Sequence, residues 1–245
     1  MMGFADRDYS RQGYRQTTVA GTMRMWSITT WLIVINVAVY FIDQMTAQPG
    51  VPGSGLLTTW GYFSASATIY SLQLWRFVTF QFLHASFSHI LFNMLALYFF
   101  GPIVEGYLGP RRYLAFYLLC GIAGAAFYLI LWRLGILISS PDAPLVGASA
   151  GIFGVLVAGA RVAPDTTVML LFPPIPMRLK VLAWILLAIA VYTVLANGNN
   201  AGGQAAHLGG AALGAVLIWR PHTLDIFDRL FRPGRKRRFF MDEWR

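Results

Sequence analysis

Ser149, His207, His89 and Asn93 are the side chains of this sequence whose chemistry reaches beyond packing. A serine hydroxyl beside an imidazole is the smallest set that performs acyl transfer. The imidazole takes the hydroxyl proton as the oxygen attacks a carbonyl, then returns a proton to the leaving group. His89 and Asn93 stand four residues apart, which on a helix puts both on one face about one turn apart. They are then able to donate hydrogen bonds to one point. A polar pair at that spacing also serves to hold helices together, and by itself the pair leaves both readings open.

Ser149 lies in Gly147-Ala148-Ser149-Ala150-Gly151-Ile152-Phe153-Gly154, with Pro141 and Pro144 upstream. This predicts a loop dipping into a helix start, whose first residues carry free backbone N–H groups and the positive end of the helix dipole. An oxyanion formed at Ser149 would be stabilised there, and the flanking glycines Gly147 and Gly151 admit a peptide backbone. A serine capping a small-residue packing helix is the alternative. His207 lies in Ala206-His207-Leu208-Gly209-Gly210-Ala211-Ala212-Leu213-Gly214. Gly210 and Gly214 let another helix approach closely, and His207 shares their stripe. If that neighbour is the helix opened by Ser149, the hydroxyl and the imidazole come within hydrogen-bond reach. A histidine that merely ties two helices together remains the other reading. No Asp or Glu lies near either motif, so the pair reads as a dyad rather than a triad. His84 and His89 are five apart with no carboxylate to complete a ligand set, so no metal and no cofactor is expected. Cys120, the single cysteine, sits in an apolar run and reads as packing.

These residues need elements to hold them, and composition names the solvent of those elements. Hydrophobic residues make up 57% of the 245 and charged residues 12%, against roughly 25% charged in soluble domains. A helix needs about 20 apolar residues to cross a bilayer. Six stretches are predicted to do so: 27–44, 87–106, 112–134, 147–162, 179–196 and 204–219. The fourth and sixth are short and rich in Gly and Ala, which suits helices enclosed by a bundle. Residues 45–86 carry Pro49, Gly50, Pro52, Gly53 and Gly55 and then an amphipathic aromatic stretch from Tyr70 to Phe82. They read as an interfacial outer loop between the first and second spans. With the N-terminus inside, 17 of the 19 Lys and Arg fall on the cytoplasmic side, so both termini are expected in the cytoplasm. The first apolar segment reads as an anchor rather than a removed signal peptide. The expected layout is a cytoplasmic tail over 1–25, a six-span domain over 26–220 and a basic cytoplasmic tail over 221–245. The net charge of +9 forms no basic face among aromatic platforms, so nucleic acid is not expected as a partner. The run Arg235 to Arg238 is instead expected to meet anionic lipid headgroups.

In this order, His89-x-x-x-Asn93, Gly147-x-Ser149 and Ala206-His207-x-x-Gly210-x-x-x-Gly214 resemble the signatures that rhomboid intramembrane proteases carry on their second, fourth and sixth helices. Trp75-Arg76 is similar to the family's tryptophan-arginine element, and Glu105 stands where rhomboids often carry a glutamate. The resemblance covers roughly 27–219. It implies an all-α, six-transmembrane-helix bundle, with Ser149 as nucleophile and His207 as base. The oxyanion would be met by the Ser149 N–H, His89 and Asn93. It further implies cleavage of single-span membrane substrates near a small residue, in a multi-pass protein placed in the plasma membrane of a bacterium. Two positions depart from the pattern: Ala150 replaces a common glycine, and Phe153 replaces a tyrosine expected beneath the histidine ring. His84 is expected to support a loop or a water, and Trp75 and Arg76 to anchor the outer loop at lipid headgroups. Two other functions compete with this reading. A non-catalytic relative that binds membrane helices usually lacks the serine or the histidine, and this chain has both. A transporter using the histidines as a polar pathway would want midplane acids, and there are none to couple an ion. Oligomeric state is not legible.

Overall fold

In a computed structural model of the chain, residues 26–51, 53–169 and 174–230 are described. Helix α1 spans Ile28–Thr46, and two short helices follow, α2 at Leu56–Gly61 and α3 at Arg76–Thr79. Then come α4 at Phe87–Leu108, α5 at Pro110–Arg133, α6 at Ser149–Val162, α7 at Leu179–Leu195, α8 at Ala201–Trp219 and α9 at Asp225–Leu230. Six of these are the apolar helices expected from the sequence. Among the described residues, α1, α4, α5 and α8 are long and apolar enough to cross a membrane, while α6 and α7 are apolar but shorter. At 1.5 Å per residue α6 extends only about 21 Å. It packs on α4, α5, α7 and α8, and eight of its residues from Ala150 to Gly159 are buried. A helix enclosed by protein has no need to match the width of the hydrocarbon.

The ends of these helices have identifiable causes. Ser27 caps α1, its hydroxyl accepting from Thr30 N at 3.1 Å, and Ser86 caps α4 by accepting from His89 N at 3.2 Å. Gly109 terminates α4 at φ +79°, a backbone conformation that favours glycine, and Pro110 then opens α5 without needing an N–H partner. The carboxylate of Glu105 reaches across to the start of α1. It accepts from Ile28 N at 2.7 Å, Thr29 N at 2.9 Å and the Thr29 hydroxyl at 2.7 Å. One side chain near the end of α4 thus satisfies the orphan donors of another helix.

Two features were not expected from the sequence. A two-stranded antiparallel ribbon, β1 (Thr167–Met169) with β2 (Pro176–Arg178), joins α6 to α7. From Arg220 to Arg229 the chain stays on the bundle: Leu224 is buried, and Arg112 pairs with Asp225 at 3.2 Å and Asp228 at 2.9 Å. The run Arg235 to Arg238 and the N-terminal tail lie outside the described residues.

The outer connection is wired to the loop that precedes α6. Phe63 and Leu145 exchange backbone hydrogen bonds of 3.0 and 2.7 Å, and Gly147 N donates to Phe80 O at 2.9 Å. Asp43 at the end of α1 accepts from Thr58 N at 2.9 Å. Arg76 departs from the headgroup expectation. It is 5% exposed, donates to Tyr62 O and Thr59 O, and lies over the Tyr62 ring at 4.7 Å. Its five donors suit the bare carbonyls at the C-terminal end of α2, so it cross-links the connection internally. Trp75 is half exposed, and its indole N–H donates to Trp60 O at 3.2 Å.

Candidate active site

Ser149 is the first residue of α6, where backbone N–H groups have no carbonyl one turn earlier. The chain arrives through Gly147 at φ +127°, in the region where a side chain is strained. A Cβ at Gly147 would also lie 2.8 Å from His89 Nε2 and 3.5 Å from Ser149 Oγ. The bare glycine therefore keeps open a space flanked by the serine hydroxyl on one side and the His89 ring on the other.

His207 sits on α8, seven residues in. Its Nε2 lies 2.7 Å from Ser149 Oγ. The close approach of α8 to α6 sets that distance, because helix axes can draw together only where side chains are missing. A Cβ on Gly210 would collide with the Ala150 carbonyl, and one on Gly214 would lie 2.6 Å from Gly154 Cα. Gly151 plays the same part toward α5, where a Cβ would stand 2.9 Å from the Tyr117 ring. Ala150 is buried, and its methyl group occupies space that Gly124 leaves on α5. The alanine beside Ser149 is thus matched by a glycine opposite. Phe153, one turn along α6, stacks on the His207 ring with centroids 4.1 Å apart and planes 11° apart.

His89 and Asn93 occupy the first two turns of α4, on the side that meets Gly147. Asn93 is 8% exposed, and among the described residues its amide nitrogen has no hydrogen-bond partner. A buried donor left free is costly unless something else is to meet it. His84 lies before α4 and packs its ring edge-to-face on His89 at 5.0 Å. Neither of its ring nitrogens has a partner among the described residues. Burial, and then the neighbouring His89 ring, push its pKa down to about 3, so it is neutral around pH 7. Trp75, Arg76 and Glu105 do not enter the cluster: the first two organise the outer connection, and Glu105 holds the far end of α1 and α4.

One member was missed by sequence reasoning. Gln204 Oε1 lies 3.0 Å from His207 Nδ1. Its signal was the i−3 spacing on the same helix, hidden by a search confined to acids. Among the described residues no group of three His, Cys, Asp or Glu is placed to hold a metal ion.

Comparison with known proteins adds a separate line. A family model described as Rhomboid domain matches residues 71–223, a stretch that includes Ser149, His207, His89 and Asn93. The chain is 33% identical over 221 residues to Rhomboid protease AarA of Providencia stuartii, covering 82% of this chain and 75% of that protein. It is 25% identical over 237 residues to RHOMBOID-like protein 12, mitochondrial, of Arabidopsis thaliana, covering 88% and 68%. It is 30% identical over 194 residues to Rhomboid protein 1, mitochondrial, of Saccharomyces cerevisiae, covering 77% and 51%.

Proposed function

The chain belongs to the rhomboid family of membrane proteases, and from that premise we propose that it is an intramembrane serine endopeptidase working through a Ser149–His207 dyad and an acyl-enzyme. The observation that carries this reading is the 2.7 Å contact between His207 Nε2 and Ser149 Oγ. It joins residues 58 apart in sequence, at the point where Ser149 opens α6.

The chemistry then runs as follows. Ser149 Oγ attacks the peptide carbonyl while His207 Nε2 takes its proton. The oxyanion of the tetrahedral intermediate is met by the Ser149 N–H at the start of α6, with His89 and Asn93 donating from α4. The imidazolium returns its proton to the leaving amine, and a water activated by the same ring hydrolyses the acyl-enzyme. The free amide nitrogen of Asn93 and the open space over Gly147 support this oxyanion assignment. His84, neutral and packed on His89, supports the donor ring without charge.

The substrates of the family are membrane proteins; single-span helices cut in or next to the membrane are the proposed class for this chain. The proposed setting is the plasma membrane of a bacterium with both termini cytoplasmic and six spans, the basic loops on the inner side. Nucleic acid has no part in it.

The test is cleavage of a generic single-span substrate by the full chain reconstituted in lipid. The parent is expected to cleave, and Ser149→Ala and His207→Ala to be inactive while keeping the parent's unfolding midpoint. Equal cleavage by all three proteins would refute the dyad.

A further inference from the structure

Gln204 stands one turn before His207 on α8, its amide oxygen 3.0 Å from the ring nitrogen that does not face Ser149. We propose that Gln204 is a positioning residue that fixes the tautomer and plane of His207, giving the Ser149–His207 pair a neutral third member. The inference rests on the dyad reading above.

The argument is one of hydrogen inventory. A neutral imidazole carries one N–H and one bare nitrogen. To act as a base, His207 must present the bare nitrogen to Ser149, so Nε2 is the acceptor and Nδ1 carries the hydrogen. Nδ1–H needs an acceptor, and the oxygen of Gln204 is placed to be one. With the opposite tautomer, Nε2–H would point at the serine oxygen, the hydroxyl could not be deprotonated, and the pair would be inert. During attack Nε2 receives the Ser149 proton and the ring becomes an imidazolium. The Nδ1–H stays where it was, and the amide oxygen, which gains no proton, faces the new positive charge.

An amide rather than a carboxylate suits this depth. Gln204 is half-buried, so a carboxylate there would lose part of its hydration beside a neutral ring, a moderate cost that an amide avoids. Gln204 offers an acceptor with no net charge to bury. Phe153 and Gln204 then constrain the ring in complementary ways: the stacked phenyl fixes the plane's height and tilt, and the amide fixes rotation within the plane.

The test uses the full chain in lipid with a single-span substrate, and three readouts: kcat against KM, the unfolding midpoint, and 15N spectra of the His207 ring. Gln204→Leu is expected to lower kcat about ten- to hundredfold with KM little changed. Its 15N spectrum should show the Nδ1–H form giving way to a mixture. Gln204→Glu, which restores an acceptor, is expected to recover most of the lost kcat. Should the leucine variant unfold, Gln204→Met repeats the comparison with a flexible chain of similar length. A leucine variant with the parent's kcat and tautomer overturns the inference, as do leucine and glutamate variants equally impaired. Either result with Ser149→Ala and His207→Ala inactive leaves the dyad standing, whereas activity in those two removes both readings.

Discussion

The phenyl ring of Phe153 lies parallel to the imidazole of His207, 4.1 Å between centroids and 11° between planes. A hydroxyl at the ring's far end is not required for this contact, since the stack is a face-to-face interaction of two flat groups. Stacking of this kind is worth about 0.5–1.5 kcal/mol beyond the buried area. Phe153→Leu keeps the volume and removes the plane, so kcat is expected to fall about two- to tenfold with KM unchanged. Phe153→Tyr is expected to cleave like the parent. Steady-state kinetics on the reconstituted protein decides both.

The contact between Ser149 and His207 depends on helices drawn together at Gly210 and Gly214. A side chain at Gly210 meets the carbonyl of Ala150, the residue next to Ser149, and backbone does not move aside as a flexible side chain does. Gly210→Val is therefore expected to separate α8 from α6, abolish cleavage and destabilise the fold by about 1–3 kcal/mol, the usual range for overpacking. Gly209 faces α5, where a Cβ would stand 2.5 Å from Phe127 Cβ, so valine there is expected to disturb the α8–α5 contact as well. Thermal unfolding in lipid, read beside cleavage, measures both effects.

Much of this arrangement was legible in the residues. Apolar runs near the bilayer length placed the six helices to within about three residues at each end, because the constraint is crude and strong. The stripe of Gly210 and Gly214 implied a closely approaching helix beside His207 without identifying it, and the spacing of His89 and Asn93 put them on one face. What stayed hidden were contacts between elements far apart in sequence. Glu105 was noticed as a family feature, yet its partners lie 76 and 77 residues earlier, and no local pattern announces them. Arg76 has the usual preference for headgroups, but the C-terminal end of α2, from Thr59 to Tyr62, leaves carbonyls that it satisfies instead. The ribbon of Thr167–Met169 and Pro176–Arg178 escaped because its strands have three residues each, too few for an alternating pattern to emerge.

Glu105 gives a prediction that separates stability from chemistry. Its two oxygens satisfy two backbone N–H groups and a hydroxyl at the start of α1. Glu105→Leu strands those donors, and the expected loss is about 1–3 kcal/mol, seen as a lower unfolding midpoint. The side chain lies sixteen residues beyond His89 on α4, about 24 Å along the axis, so cleavage per folded molecule should stay at the parent's rate. A loss of kcat without a loss of stability would contradict the assignment of Glu105 to the α1–α4 joint.

His84 predicts a pH dependence with a definite sign. Its pKa in the folded chain is about 3, lowered first by burial and then by the His89 ring, against an ordinary value of 6.5. Between those values the unfolded chain binds a proton that the folded chain refuses. Stability from this group is therefore complete above about pH 6.5 and drains away as the pH falls toward 3. The slope is about 1.4 kcal/mol per pH unit at its steepest. His84→Phe removes the titrating group and keeps an aromatic ring against His89. Unfolding midpoints of parent and variant at pH 7, 5 and 4 provide the check: the parent should lose more on acidification, and the gap should widen with each step. Curves that fall in parallel would mean that His84 takes up its proton in the folded protein as readily as in the unfolded one.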